Sequence, residues 1–255
     1  MSLRPATSPT ANPLADACSS DRSRDRGTLF GPGAVLLMVT LALAAASFAA
    51  DPALDAALAR VDQASTGFKG LTANLRKVAH TEVVGKDDVD SGTIVVKRAK
   101  LHDVHLRIDL KDPRQQTVTI GDGKAVVFSP LTNEAQTADL GKDRGLVDQF
   151  ILLGFGSTSA ELKGAYDVTL GGPDTVNGEK TTRLVLVPRD KELLAHFKKC
   201  ELWISEKGIT VQQKFHTGGG DYSLATYSNM HLNPVIPDAA VKLDLPRGVK
   251  ITKLK

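Results

Sequence analysis

Cysteine is nearly absent from this chain: Cys18 and Cys200 are the only two in 255 residues. Cys18 precedes the long apolar run near the N-terminus, so it cannot be a lipid-attachment cysteine, which must follow such a run. Without a leader, Cys200 has no partner for an internal disulfide. A fold without cross-links must rest on its own core, and about 200 residues are enough for one. The short motifs of common catalytic chemistry are missing too. There is no HExxH, no Gly-x-Ser-x-Gly, no phosphate-binding glycine loop and no paired-cysteine metal site. The histidines at 80, 102, 105, 196, 216 and 231 are scattered. The close pair, His102 and His105, falls on opposite faces of a strand and makes a poor ligand set. No nucleophile, base and orienting group can be assembled, so a protein that is not an enzyme, with no cofactor or metal, is expected. An excess of one charge is also lacking. The net charge is +3, which is not the footprint of a nucleic-acid binder. The weakly basic end (Lys250, Lys253, Lys255) reads as solvated.

The first 50 residues do not read as fold material. Residues 1–28 are polar and rich in Pro, Ser, Asp and Arg, ending in Arg22, Arg24 and Arg26. From Leu29 to Ala50 there is no charged residue. Basic flank, apolar stretch and small-residue exit describe a secretory signal, with Ser47-Phe48-Ala49 as the cleavage site. A retained anchor is the other reading, because the run is nominally long enough to span a bilayer. Gly31, Pro32 and Gly33 break its start and favour cleavage. The expected organisation is therefore a leader plus signal over 1–50 and one domain over 51–255, exported to the periplasm.

Residues 52–65 read as a helix, with Asp51 as cap, Pro52 in the first turn and Leu54, Ala57, Leu58 and Val61 as one apolar stripe. Beyond Leu71 the pattern has period two. Ile94, Val96 and Arg98 share one face of a strand, while Val95 and Lys97 share the other. In the next strand Val104, Leu106, Ile108 and Leu110 oppose His105, Arg107, Asp109 and Lys111. Asp122-Gly123 and Asn177-Gly178 are turn signals. The parity of Leu71 to Val84 slips near Lys77, which suggests a bulge or bend, and Gly85 to Asp90 reads as a charged hairpin loop. Later strands are expected at 165–171, 180–188, 199–206, 209–216 and 221–232, the last with Tyr222, Leu224, Met230 and Leu232 on its apolar face. Cys200 shares parity with Leu202 and Ile204 and is expected to be a buried thiol.

About ten or eleven antiparallel strands, each with one apolar face, predict a large curved sheet. Only short helices are available to cover it: 52–65, about 144–153 and 158–163. The 146–155 stretch is apolar on most of its circumference and needs cover on more than one side. So much apolar wall under so little helix predicts a cavity or an exposed patch, and either marks a binding site. Arg98 falls at the rim of that concavity. A guanidinium there needs a hydrogen-bonding partner, unless a one-residue bulge turns it to solvent.

The chain resembles the LolA-type periplasmic carriers of outer-membrane lipoproteins. The resemblance rests on the 52–65 helix, Val96-Lys-Arg-Ala-Lys-Leu101, Gly121-Asp-Gly-Lys124 followed by Phe128-Ser-Pro130, Leu184-Val-Leu-Val-Pro188 and Leu245-Pro-Arg-Gly-Val249, in that order across nearly the whole chain after the signal. It departs from the family at Ala99, where a proline is expected, at Val104, where an aromatic is common, and at His102, where a phenylalanine is. The resemblance implies a mainly β fold, an incomplete, half-open antiparallel β-barrel capped by an α-helical lid, with a hydrophobic cavity for lipoprotein acyl chains. It implies that Arg98 hydrogen-bonds to the lid. It further implies loading from an inner-membrane ABC transporter complex and delivery to an outer-membrane receptor lipoprotein, by a protein that acts as a monomer.

The residues expected to line the cavity are Ile94, Val96, Leu106, Ile108, Val118, Phe128, Leu184, Leu186 and Phe215, with Phe150 and Leu153 from the lid, and Arg98 as the lid gate. The alternative function is a periplasmic lipid- or lipoprotein-sensing regulatory domain of the same fold. An anchored acceptor lipoprotein is disfavoured by the missing cysteine after the signal.

Overall fold

The computed structural model describes residues 51–100, 103–141, 147 and 151–253. Residues 1–50, with the expected signal and cleavage site, and Phe150 lie outside the described residues. Helix α1 (Pro52–Thr66) begins as its sequence dictates: the Asp51 carboxylate accepts from the Ala53 amide at 3.0 Å, and Pro52 occupies the first turn, where no amide donor is needed. It buries Ala57, Leu58 and Val61. Helix α2 (Ser159–Ala165) opens with a capping box, in which Thr158 and Glu161 satisfy each other's end of the first turn. Helix α3 (Lys191–His196) went unforeseen, although Asp190 marks its start by accepting from the Glu192 and Leu193 amides at 2.7 and 3.1 Å.

Among the described residues, the strands form one twelve-stranded sheet. In chain order the strands are β1 (Gly70–Thr81), β2 (Lys86–Lys100), β3 (Asp103–Asp112), β4 (Gln116–Gly121), β5 (Lys124–Ser129), β6 (Glu134–Asp139), β7 (Tyr166–Val176), β8 (Glu179–Pro188), β9 (Lys199–Ser205), β10 (Thr210–Gly218), β11 (Asp221–Leu232) and β12 (Lys250–Lys253). In space they run β12-β6-β5-β4-β3-β2-β1-β11-β10-β9-β8-β7. The two ends of this series do not pair, so the sheet is open, as a half-open barrel requires. The strand beyond the expected ten or eleven is β12, the C-terminal segment, which adds to β6 in parallel.

Two local expectations are corrected. The β1–β2 turn lies at Glu82–Val84 and closes on Gly85, whose φ of 58° suits glycine; residues 86–90 are strand, paired with β1. Lys77 sits in unbroken register with Asp90 and Ala225, and the irregularity of β1 is at Thr72–Asn74. Lys77 is therefore a charged residue on the inner face rather than the sign of a bulge.

The inner face carries two cores. One lies over β8 and β9, where Leu184, Leu186, Cys200, Leu202 and Ile204, all fully buried, pack against α1, Leu162 of α2, Leu193 of α3, Phe197 and Leu153. The other lies over β1, β2 and β3, where Leu71, Ala73, Leu75, Ile94, Val96, Val104, Leu106 and Leu110 meet Phe68, Ile151, Leu152, Phe155 and Tyr227.

Candidate functional site

The second core is not filled. A cavity of ≈ 320 Å³ opens between the inner faces of β1–β4 and β10–β11 and the segment around Ile151 and Phe155. Alternation accounts for its wall. Ile94 and Val96 of β2, Leu106 and Ile108 of β3, and Val118 and Ile120 of β4 are cross-strand partners on one face. Leu75 and Lys77 come from β1, Gln213 and Phe215 from β10, and Ser223, Ala225 and Tyr227 from β11. Small groups at Ser223 and Ala225 leave space that larger side chains would have closed.

The cover over this wall is a short segment. Val147, Ile151 and Leu152 are helical and Leu153–Gly156 form a turn. The turn is tied down from several strands. The Arg98 Nη2 donates to the Gly156 carbonyl at 2.6 Å, and its guanidinium carbon lies 5.5 Å from the centre of the Phe68 ring. The Gln213 side-chain amide donates to the Leu153 carbonyl, and its oxygen accepts from the Tyr227 hydroxyl at 3.0 Å. The Thr210 amide donates to the Gly154 carbonyl at 3.2 Å. Beyond the turn, Asp62 of α1 accepts from the amide and hydroxyl of Ser159, both at 2.6 Å. Glycine at 156 makes room for this contact: a Cβ would stand 2.7 Å from the Arg98 Nη2 and 2.8 Å from Phe68, and one of them would have to shift.

Arg98 faces inward, as its parity with Ile94 and Val96 predicts. A bulge does exist, but it falls between Arg98 and Lys100 and so comes too late to turn the side chain out. The guanidinium is poorly satisfied: its buried Nε has no partner among the described residues. Burial lowers its pKa from the ordinary value, with Glu161 opposing. An arginine still stays protonated, so a half-buried guanidinium ties the cover to the wall by a single charge-assisted bond.

Of the side chains expected to line a lipid cavity, Ile94, Val96, Leu106, Ile108, Val118 and Phe215 line this one. Leu184, Leu186 and Leu153 do not: they belong to the packed core beneath α1. Alternation identifies the inner face but not what lies above it, and the helices cover that end. Phe128 is on the opposite face, since it pairs with Thr117, which pairs with the outward Asp109. Strand β5 is apolar on both sides, so hydrophobicity could not decide its orientation. On β11 the expectation is reversed: Tyr222 and Leu224 lie opposite the outer-face residues His216 and Lys214, and the modest Ser223 and Ala225 face the cavity. Cys200 is buried as expected, and burial pushes its thiol pKa well up, which leaves it inert.

No family model matches this sequence, and a comparison with curated proteins finds no match. Solved structures similar to the chain include three of note. An uncharacterised conserved protein from Thermus thermophilus is 12% identical, covering 79% of this chain and 99% of that one, with a TM-score of 0.48. The Mycobacterium tuberculosis lipoprotein LppX is 15% identical, covering 73% and 99%, with a TM-score of 0.45. A LolA superfamily protein from Nitrosomonas europaea is 14% identical, covering 74% and 97%, with a TM-score of 0.38. At such scores these likenesses carry none of the functional reading, which rests on the molecule's own geometry.

Proposed function

We propose that residues 51–255 form a periplasmic carrier domain that takes the acyl chains of lipoproteins into the cavity and shuttles them from inner to outer membrane. Residues 1–50 would serve export and be removed. The supporting observation is a largely apolar cavity covered by a turn that Arg98 ties down together with Gln213 and Thr210. A hydrocarbon tail gains about 0.8 kcal/mol per buried CH₂, so a sixteen-carbon chain resists crossing water by roughly 12 kcal/mol. A carrier must supply a substitute apolar wall, and a mostly aliphatic wall does so without demanding one ligand geometry.

Release needs the opposite property. The Arg98–Gly156 bond favours the empty, closed state, by about 1.5–3 kcal/mol for a charge-assisted bond. A ligand that lifts the turn must break it, and its affinity falls by that amount. The cargo is then held loosely enough to be handed on. In this reading an inner-membrane ABC transporter loads the carrier and an outer-membrane receptor lipoprotein empties it. The carrier does no covalent chemistry.

The test is mass spectrometry of the protein extracted from periplasm, followed by transfer of a labelled lipoprotein to acceptor membranes. Co-purifying acylated peptide and transfer by wild type are expected, with Arg98→Leu loading readily and transferring poorly. Absence of bound lipoprotein together with no transfer would overturn the carrier reading. Transfer by Arg98→Leu at the wild-type rate would overturn the gate.

A further inference from the structure

One end of the cavity wall is not apolar. Lys77 lies on it, in register with Ala225 of β11. Ser223 lies on it too, two residues along the same face and therefore a diagonal neighbour of Lys77, roughly 7 Å away. The other polar groups on the wall are occupied: Gln213 and Tyr227 bond to each other, and Gln213 also bonds to the covering turn. The side chains of Lys77 and Ser223 have neither a hydrogen bond nor an ion pair among the described residues. The acid positioned to neutralise the lysine is already engaged. Asp90, directly opposite Lys77 across the β1–β2 ladder and only 1% exposed, receives both arms of Arg114 at 2.9 and 2.5 Å. With the nearest carboxylate bound to Arg114, this end of the wall leaves an ammonium and a hydroxyl to donate.

An ammonium on an apolar wall is costly unless something pairs with it. Water can do so at a rim. An anion does so better, since hydrogen bonds with an ionised partner are about twice as strong as neutral ones. The space sets the rest of the ligand. At ≈ 320 Å³ the cavity stands at the bottom of the range of small-molecule pockets, roughly 300–1,000 Å³. It has room for one aliphatic tail with the covering turn closed, and not for the several chains of a lipoprotein.

We propose that the closed protein binds a single-chain amphiphile with an anionic head group, its tail along Ile94, Ile108 and Val118 and its carboxylate or phosphate between Lys77 and Ser223. This is a ligand class separate from lipoprotein, whose acylated cysteine offers no such anion. The inference rests on the cavity taking hydrocarbon, as in the carrier reading.

Equilibrium dialysis of the purified full-length protein against palmitate, 1-palmitoyl lysophosphatidate and hexadecanol tests it. Both anions are expected to bind more tightly than the alcohol by about tenfold, the worth of one charge-assisted bond. The tighter anion tells a carboxylate source from a phosphate source. Lys77→Met is expected to lose that advantage and keep hexadecanol binding, which also shows that the variant is folded, and Lys77→Arg is expected to retain it. Equal affinity of anions and alcohol for wild type, or an equal loss of all three in Lys77→Met, would overturn the head-group site while leaving hydrocarbon binding standing. No binding of any of the three would overturn the site and hydrocarbon binding together.

Discussion

The two halves of the sheet's inner face are built from the same strand pattern and finish differently. Over β8 and β9, three helices and Leu153 lie on leucines that are fully buried, with Arg60 of α1 donating to Thr182 of β8 at 2.9 Å and Asp62 holding Ser159. Over β1 to β4, one turn at 153–156 spans the wall and is tied down through Arg98, Gln213 and Thr210. Where apolar contact is complete, packing supplies the stability. Where a space has been left, directional bonds hold the cover, and such bonds can be exchanged without unfolding anything. The solid half is thus a frame, and the hollow half is free to open against it.

Breaking the frame should have the largest effect. Leu184→Ala or Leu202→Ala, each at a site with no exposure, should cost about 2–5 kcal/mol in urea unfolding. Ile108→Ala, on the cavity wall, should cost about 1 kcal/mol or less, because the neighbouring space is already empty. Equal losses in the two halves would show that the void is closed in solution. Next in size is the latch. Arg98→Leu should speed amide exchange over 151–156 in line with the loss of about 1.5–3 kcal/mol, with exchange in β8 and β9 unchanged. Gly156→Ala should do the same by crowding Arg98 and Phe68.

Filling the void is a milder perturbation and sharpens the contrast from the other side. Ala225→Leu should leave the free energy of urea unfolding within about 1 kcal/mol of wild type while displacing palmitate measured by dialysis. A variant that binds as before would mean that hydrocarbon lies elsewhere.

The smallest effect concerns pH. His80, on the outer face of β1, bonds to Asp87 and Glu82 at 2.6 and 3.1 Å, and its pKa is raised, chiefly by Asp87 and then Glu82. Its folded value lies above the unfolded one, so its stabilisation is fully present below about 6.5, the ordinary histidine pKa. That contribution is lost as the pH rises through the raised value. His80→Gln should flatten this part of the thermal-melt profile and leave cavity binding unmoved.

Much of this was legible in the chain. Alternation in β2, β3 and β4 placed Ile94, Val96, Leu106, Ile108 and Val118 on one wall with Arg98 at its end, because charged residues marked the opposite face. Where that contrast was missing, orientation was lost: Phe128 lies in a strand apolar on both sides, and β11 turns Tyr222 outward while Ser223 and Ala225 face the void. A cavity wall keeps its small and lightly polar residues, so a rule that sends the larger apolar groups inward fails at the place that matters for binding. Leu184 and Leu186 were placed on the right face beneath the wrong cover. The location of a helix over a sheet is a long-range fact that local periodicity does not contain. Lys77 reads in the sequence as a break in the pattern, because alternation alone does not tell a cation on an apolar face from a slip of register.

Cys200 gives the comparison a clock of its own. Its sulfur lies at the heart of the solid half with no exposure, so an alkylating reagent reaches it only when the frame comes apart. Motion of residues 154–156 that leaves Leu153 seated in that core leaves it silent. Peptide mapping of alkylation at Cys200 during loading and unloading would therefore separate a protein that breathes through its cover from one that must melt to let a lipid pass.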